Sequence, residues 1–181
     1  MIICISGFHG TGKTTVGKKV SERLNLDYYS TGQAFRDLAK EYEMNLEDFS
    51  KYAENHPKID KELDRKIIEM SHKKDEIVFE SLLSGYLLKE KADRSILLKA
   101  PLDVRVKRMV ERDNSDFEEK LKETKIREKS EIQRFIDLYD IDLTDKTLRN
   151  NVFDLIIDTG NLSIEEVVEK IINFLENENI I

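Results

Sequence analysis

The sequence predicts an α/β fold built on a doubly wound, parallel sheet of five strands. Three observations carry that expectation: five short and almost continuously apolar runs, helical periodicity between them, and a glycine-rich loop between the first run and the first helix. Strands that are apolar on both faces suit a parallel sheet covered by helices on each side, and strict alternation of strand and helix means βαβ units.

The strand runs are Ile2 to Ser6, Asp27 to Ser30, Glu76 to Glu80, Ser95 to Ala100 and Phe153 to Asp158. Val16, Val20 and Leu24 recur every four residues in the first helix, and Val167, Val168, Ile171, Ile172 and Leu175 form the apolar stripe of the last. Pro101 follows the fourth run, where it can occupy a helix's first position ahead of Leu102, Val106 and Met109. Residues 31–74 and 114–146 break the alternation, being long, polar and helical without strand signals. They are expected as helical flaps over the carboxyl edge of the sheet, within one domain spanning 1–181.

Composition narrows the function. Of 181 residues, 39% are hydrophobic and 37% charged, and the formal net charge of -7 argues against a general nucleic-acid binder. No apolar segment approaches the ~18 residues of a membrane span, and Met1 to Ile5 lacks the flank and length of a signal peptide. A cytoplasmic monomer or weak homo-oligomer is expected, with no membrane partner. Cys4, the single cysteine, sits in an apolar run and reads as a buried, inert thiol.

Gly7-Phe8-His9-Gly10-Thr11-Gly12-Lys13-Thr14 satisfies the phosphate-loop pattern G-x-x-x-x-G-K-[ST] at each fixed position. Its glycines let successive N–H groups turn inward on a phosphate, and the following helix, which continues through Thr15, adds the positive end of its dipole. Lys13 is expected at the β and γ oxygens of ATP and the Thr14 hydroxyl on Mg²⁺. Glu80, closing the third run, is the candidate second metal acid. His9 fills a variable slot and reads as a loop residue.

Phosphoryl transfer depends on alignment and on neutralising charge over the moving group, for which guanidinium groups are suited. Arg105, Arg108 and Arg112 share one helical face, as do Arg127 and Arg134 in the second flap. With Glu111, Glu128 and Glu131 nearby, Arg105 reads as part of a solvated salt-bridge helix. Arg112, Arg127 and Arg134 are expected to act in catalysis. Asp60, Asp64 and Arg65 suit either a pocket wall or a solvated helix face. Tyr28, Tyr29 and Tyr42 read as core and rim aromatics.

Taken together these segments resemble the nucleoside monophosphate kinases, and within them the archaeal type of cytidylate kinase. The resemblance extends beyond the phosphate loop to Ser30-Thr31-Gly32-Gln33-Ala34-Phe35-Arg36, to Asn45 through Phe49, to Pro57 through Arg65, to Leu98 through Arg105 and to Arg127 through Phe135. It implies an acceptor site using Thr31, Gly32, Phe35, Arg36, Asp60 and Arg65. It also implies that Arg108 stacks on the donor adenine beside Asp158 to Asn161, and that Arg112, Arg127 and Arg134 touch the transferred phosphate. The implied reaction is transfer of the ATP γ-phosphoryl to CMP or dCMP, with Mg²⁺. In one respect the sequence departs from this family: Ser81 and Leu82 follow the acid where the family has glycine and arginine, a loss of about 1.5–3 kcal/mol of acceptor binding, so that either Arg65 or another base compensates or the acceptor is not CMP. Two alternatives stand beside this reading: a kinase of a shikimate-like metabolite, with Asp60 or Asp64 near the acceptor hydroxyl, and a non-catalytic ATP-binding regulator.

Overall fold

The computed structural model describes residues 1–181 apart from the side chains of Leu46 and Glu47, so that part of the stretch Asn45 to Phe49 lies outside the described residues. Five strands, β1 (Ile2–Ser6), β2 (Asp27–Ser30), β3 (Ile77–Glu80), β4 (Arg94–Lys99) and β5 (Leu155–Asp158), form one sheet in the order β2-β3-β1-β4-β5. All four pairings are parallel. The central position of β1 puts the loop that follows it at the middle of the sheet's carboxyl edge, where ligands bind in doubly wound folds.

Alternate residues of each strand face opposite layers. Ile3, Ile5, Val78, Ile96, Leu98 and Ile157 pack against Val16 and Val20 of α1 (Lys13–Leu24) and the predicted stripe of α9 (Ile164–Asn177). On the other face Ile2, Cys4, Ile77 and Phe79 meet Ile67, which belongs to the third of three helices built from residues 31–74: α2 (Thr31–Glu41), α3 (Leu46–Glu54) and α4 (Lys58–Ser71). Cys4 is fully buried, and burial pushes its thiol up to about 12, which keeps it inert.

The remaining helices are α5 (Ser84–Leu87), α6 (Leu102–Asp113), α7 (Phe117–Tyr139) and α8 (Lys146–Val152). The long α7 accounts for most of residues 114–146. Its N-cap is Asp116, whose side chain accepts from the Glu119 N–H at 3.0 Å. Two features depart from the sequence expectation. Pro101 is the N-cap of α6, with ψ 147°, rather than its first helical residue. The fifth strand starts only at Leu155, because Phe153 turns off the sheet line to pack on Tyr86, ring centroids 5.1 Å apart, and Asp154 accepts from the Ser95 N–H at 2.7 Å. The helices α5 and α8 are too short to show periodicity in the sequence.

Ile171 is wholly buried between α9 and the sheet. Ile171→Ala is expected to cost about 2–5 kcal/mol, read as a lower urea midpoint with an unchanged slope.

Candidate active site

The loop from Gly7 to Thr14 closes tightly between β1 and α1. Gly10 has φ +77°, and a Cβ there would stand 2.5 Å from the Arg105 carbonyl oxygen. Gly12, at φ +92°, is the N-cap of α1 and supplies no capping side chain, so no side chain covers the first N–H groups of the helix, where Thr14 and Thr15 lie. Lys13 folds back across the loop, donating from Nζ to the Phe8 carbonyl at 3.1 Å and standing 3.9 Å from a Glu80 oxygen. Burial lowers its pKa, while Glu80 and Glu131 act against that shift.

Glu80 ends β3 almost without solvent contact. Its Oε2 accepts from Ser30 at 2.6 Å, Tyr28 at 3.1 Å and Thr14 at 3.2 Å. A hydroxyl and a carboxylate side by side beneath a phosphate loop form an oxygen donor pair of the kind Mg²⁺ takes, its other positions going to water and phosphate. Among the described residues no cluster of three His, Cys, Asp or Glu side chains could hold a metal unaided.

The three arginines of α6 separate in role. Arg108 donates to Thr159 through Nη1 to Oγ1 at 3.0 Å and through Nη2 to the carbonyl at 2.6 Å, while the Thr159 hydroxyl reaches the Thr11 carbonyl at 3.2 Å. The Asp158–Asn161 loop therefore sits beside both Arg108 and the phosphate loop. Arg105 corrects the reading of a solvated ion pair: it is buried, donates to the carbonyls of Ala100 at 3.1 Å and His9 at 3.0 Å, and pairs with Glu128 of α7. Its ion pair was legible from charge spacing; its burial comes from the close approach of α6 at Gly10. Arg112 lies at the exposed end of α6, held by its neighbour Asp113 at 2.7 Å, and is not brought to the loop.

The face of α7 that carries Arg127 and Arg134 also carries Glu131, which is buried. His9 Nε2 lies 2.8 and 3.0 Å from the two Glu131 oxygens, and Arg127 Nε donates to Oε1 at 3.0 Å. Burial alone would raise the carboxyl; His9 and Arg127 outweigh it and hold Glu131 down at about 2. Burial in turn lowers the His9 pKa, with Glu131 acting against that shift, and the carboxylate, which can only accept, makes Nε2 the donor of this contact. His9 is thus more than the loop residue its variable slot suggested.

Arg134 Nε stands 3.1 Å from Asp60 Oδ2 across the cleft between α7 and α4, off hydrogen-bond alignment, so that both atoms are buried ions without a hydrogen bond. Tyr139 donates to Asp64 at 2.8 Å. The acceptor set is gathered unevenly. Thr31 Oγ1 is buried and unpaired. A Cβ at Gly32 would meet nothing nearer than Arg36 Nη1 at 3.6 Å, which leaves that face open, and Arg36 rests on Gln33 at 3.0 Å. Phe35 packs on Phe49, centroids 4.8 Å apart. Arg65 is not part of the cleft: the helical register that buries Asp64 turns Arg65 to solvent, where it pairs with Glu69 at 3.3 Å. Leu82 packs with Phe8, Ile132, Phe135 and Tyr139 beneath α7, in an apolar contact where a charge would be stranded. Beside it a cavity of about 150 Å³ runs past Phe8 and Tyr86 to Lys99 and Arg149. Among the tyrosines, Tyr28 and Tyr29 pack on the two core layers and Tyr42 is exposed against Phe49 and Tyr52.

The model of the cytidylate kinase-like family matches residues 2–161. The chain is 41% identical over 180 residues to a cytidylate kinase of Methanocaldococcus jannaschii, covering 98% of each. Among solved structures, a protein of Eubacterium ventriosum superposes with a TM-score of 0.70 at 20% identity, covering 97% of this chain and 98% of the other. A shikimate kinase of Bacteroides thetaiotaomicron superposes with a TM-score of 0.63 at 14% identity, over the same shares. At such identities the structural likeness speaks for the fold alone.

Burial, with the nearby Asp60 charge adding to it, raises the Asp64 carboxyl to about 7, well above its unfolded value. The folded chain therefore holds a proton there that the unfolded chain has released, and stability falls as pH rises from about 4 to about 7. Thermal melts from pH 5 to pH 8 should show a declining Tm that flattens in Asp64→Asn, with the variant the more stable of the two at pH 8.

Proposed function

The chain belongs to the cytidylate kinase-like family, and on that premise we propose that it transfers the γ-phosphoryl group of ATP to CMP or dCMP. The observation that carries this reading is the meeting of three parts at one cleft: a phosphate loop with its lysine, two arginines of α7, and the acids Asp60 and Asp64 of α4. A regulator that only bound ATP would need the first of these but not the other two. A metabolite kinase shares the fold, yet the curated relative that aligns over nearly the full chain is named a cytidylate kinase.

In this mechanism ATP lies with its phosphates in the loop from Gly7 to Thr14 and its adenine stacked on Arg108 and bordered by the Asp158–Asn161 loop, which Arg108 holds through Thr159. Lys13 turns from the Phe8 carbonyl to the β and γ oxygens. Thr14 and Glu80, 3.2 Å apart, would hold Mg²⁺, which would supply neutralisation of the phosphate charge. An ionised oxygen of the acceptor phosphate attacks the γ-phosphorus in line as the bond to the ADP oxygen breaks, so no strong base is required. Arg127 and Arg134 spread the developing charge. Arg36 and Thr31 hold the acceptor phosphate end, and Arg134 serves where Leu82 offers no guanidinium. Cytosine presents an amino donor where uracil presents an acceptor oxygen, and the carboxylate of Asp60, ion-paired with Arg134 but with no hydrogen bond at Oδ2, suits the donor.

A nucleotide panel with MgATP, read by ADP release, should rank CMP and dCMP first. Lys13→Ala should abolish turnover. Asp60→Asn should narrow the preference for CMP over UMP in kcat/KM by about tenfold. Equal rates for all acceptors, or ATP binding without turnover, would defeat the assignment.

A further inference from the structure

His9 is held by α7 at both ends. Its carbonyl accepts from Arg105, which is paired with Glu128, and its ring meets Glu131 one turn further along the same helix. Glu131 in turn holds Arg127, and only by Nε: among the described residues neither terminal nitrogen of Arg127 has a partner. A guanidinium fixed at Nε with both Nη groups open is presented as a fork for an anion, with its stem immobilised.

We propose that Glu131 is a positioning residue for phosphoryl transfer, bracing Arg127 over the phosphate loop and taking its own footing from His9. This rests on the kinase reading above. The opposite role for a buried carboxylate in this place is that of a stand-in for phosphate, which ATP would have to displace. The bonding favours the brace. Lys13, the side chain that must reach the phosphates, is hydrogen-bonded to the Phe8 carbonyl and not to Glu131. Glu131's hydrogen bonds go to His9 and Arg127, so ATP can bind with both contacts intact. The charges around the pair are Lys13 of the loop, Arg127 of α7 and Arg105 of α6, with Glu80 behind Lys13. An ionised Glu131 among these cations needs no displacement to be stable.

The test is a double-mutant cycle of His9→Ala and Glu131→Ala, with Glu131→Gln and His9→Gln as conservative variants. Each alanine variant is expected to lower kcat by about 10²-fold, as a displaced catalytic cation does, with KM for ATP and CMP within about threefold of wild type. The double variant should be no slower than either single one, because both act through one contact. His9→Gln, which keeps a donor, should recover most of kcat, and Glu131→Gln should fall between wild type and alanine. Additive losses would overturn the brace. So would a change in Tm without a change in kcat, or tighter ATP binding in Glu131→Ala, which would mark the carboxylate as a competitor. Should the wild type phosphorylate no nucleotide, the kinase reading fails by itself. The brace is then read from MgATP affinity by calorimetry: non-additivity of about threefold or more in Kd supports it, and additivity ends it.

Discussion

Positive charge has to be gathered and buried at the phosphate loop before any phosphate arrives, and three carboxylates make that arrangement stable. Lys13 lies by Glu80, Arg105 by Glu128, and Arg127 by Glu131. A buried cation without a partner costs several kcal/mol, and a buried carboxylate fares no better alone. Pairing solves both problems, yet it also threatens function, since a cation fully neutralised by its partner has little left for a ligand. Arg105 and Glu128 are fully engaged with each other, but the other two pairs are incomplete by geometry. Lys13 stands 3.9 Å from Glu80, beyond hydrogen-bond range, and Arg127 engages through one nitrogen only. Lys13 and Arg127 thus keep donor capacity for phosphate while paired.

The same loop sets how closely α6 can approach. Gly10 lets its backbone lie against the Arg105 carbonyl, and Gly7 lies against that of Leu98, contacts a Cβ would obstruct. That proximity brings the Arg105 side chain within 3.0 Å of the His9 carbonyl, and Arg105 then draws Glu128 and the middle of α7 inward. A local requirement of the phosphate loop thus propagates into the placement of a helix more than a hundred residues away in sequence.

Much of this was visible in the sequence, and the limits have physical causes. The five strands were marked by apolar runs, and β2, the least apolar, is one of the two edge strands, where half-buried Tyr28 and Tyr29 suffice. The phosphate loop was fully specified, because each fixed residue answers a backbone or phosphate need. The periodicity of α7 gave the shared face of Arg127 and Arg134, but it could not tell whether Glu131 between them met water or protein. An i, i+4 carboxylate has the same spacing in both cases, and only the tertiary contact with His9 distinguishes them. Arg105 was misread for the same reason. Arg112 was nominated by the helical face it shares with Arg105 and Arg108 and by the family resemblance, and Arg65 by that resemblance; one further turn carries Arg112 to solvent, and one helical step of about 100° from Asp64 carries Arg65 there.

The two halves of α7 are held by different forces, which assigns them different duties. Its C-terminal half is rooted in an apolar cluster: Phe135, Ile132 and Tyr139 pack on Leu82, Leu83 and Phe8. That packing fixes the backbone at Arg134, whose side chain meets Ser130 at 3.3 Å and Asp60 at 3.1 Å. Arg127 lies nearly two turns earlier, where α7 is tied to the rest of the protein through polar contacts, Glu128 to Arg105, Ser130 to Glu54, and Lys120 to Asp113. The exposed ones among them, Ser130 with Glu54 and Lys120 with Asp113, exchange with water at little net cost, and the buried Arg105–Glu128 pair is the firm tie of this part of the helix. A guanidinium that must be exactingly placed on the polar half therefore requires its own anchor, and Glu131, four residues after Arg127 on the same face, reaches both Arg127 and His9.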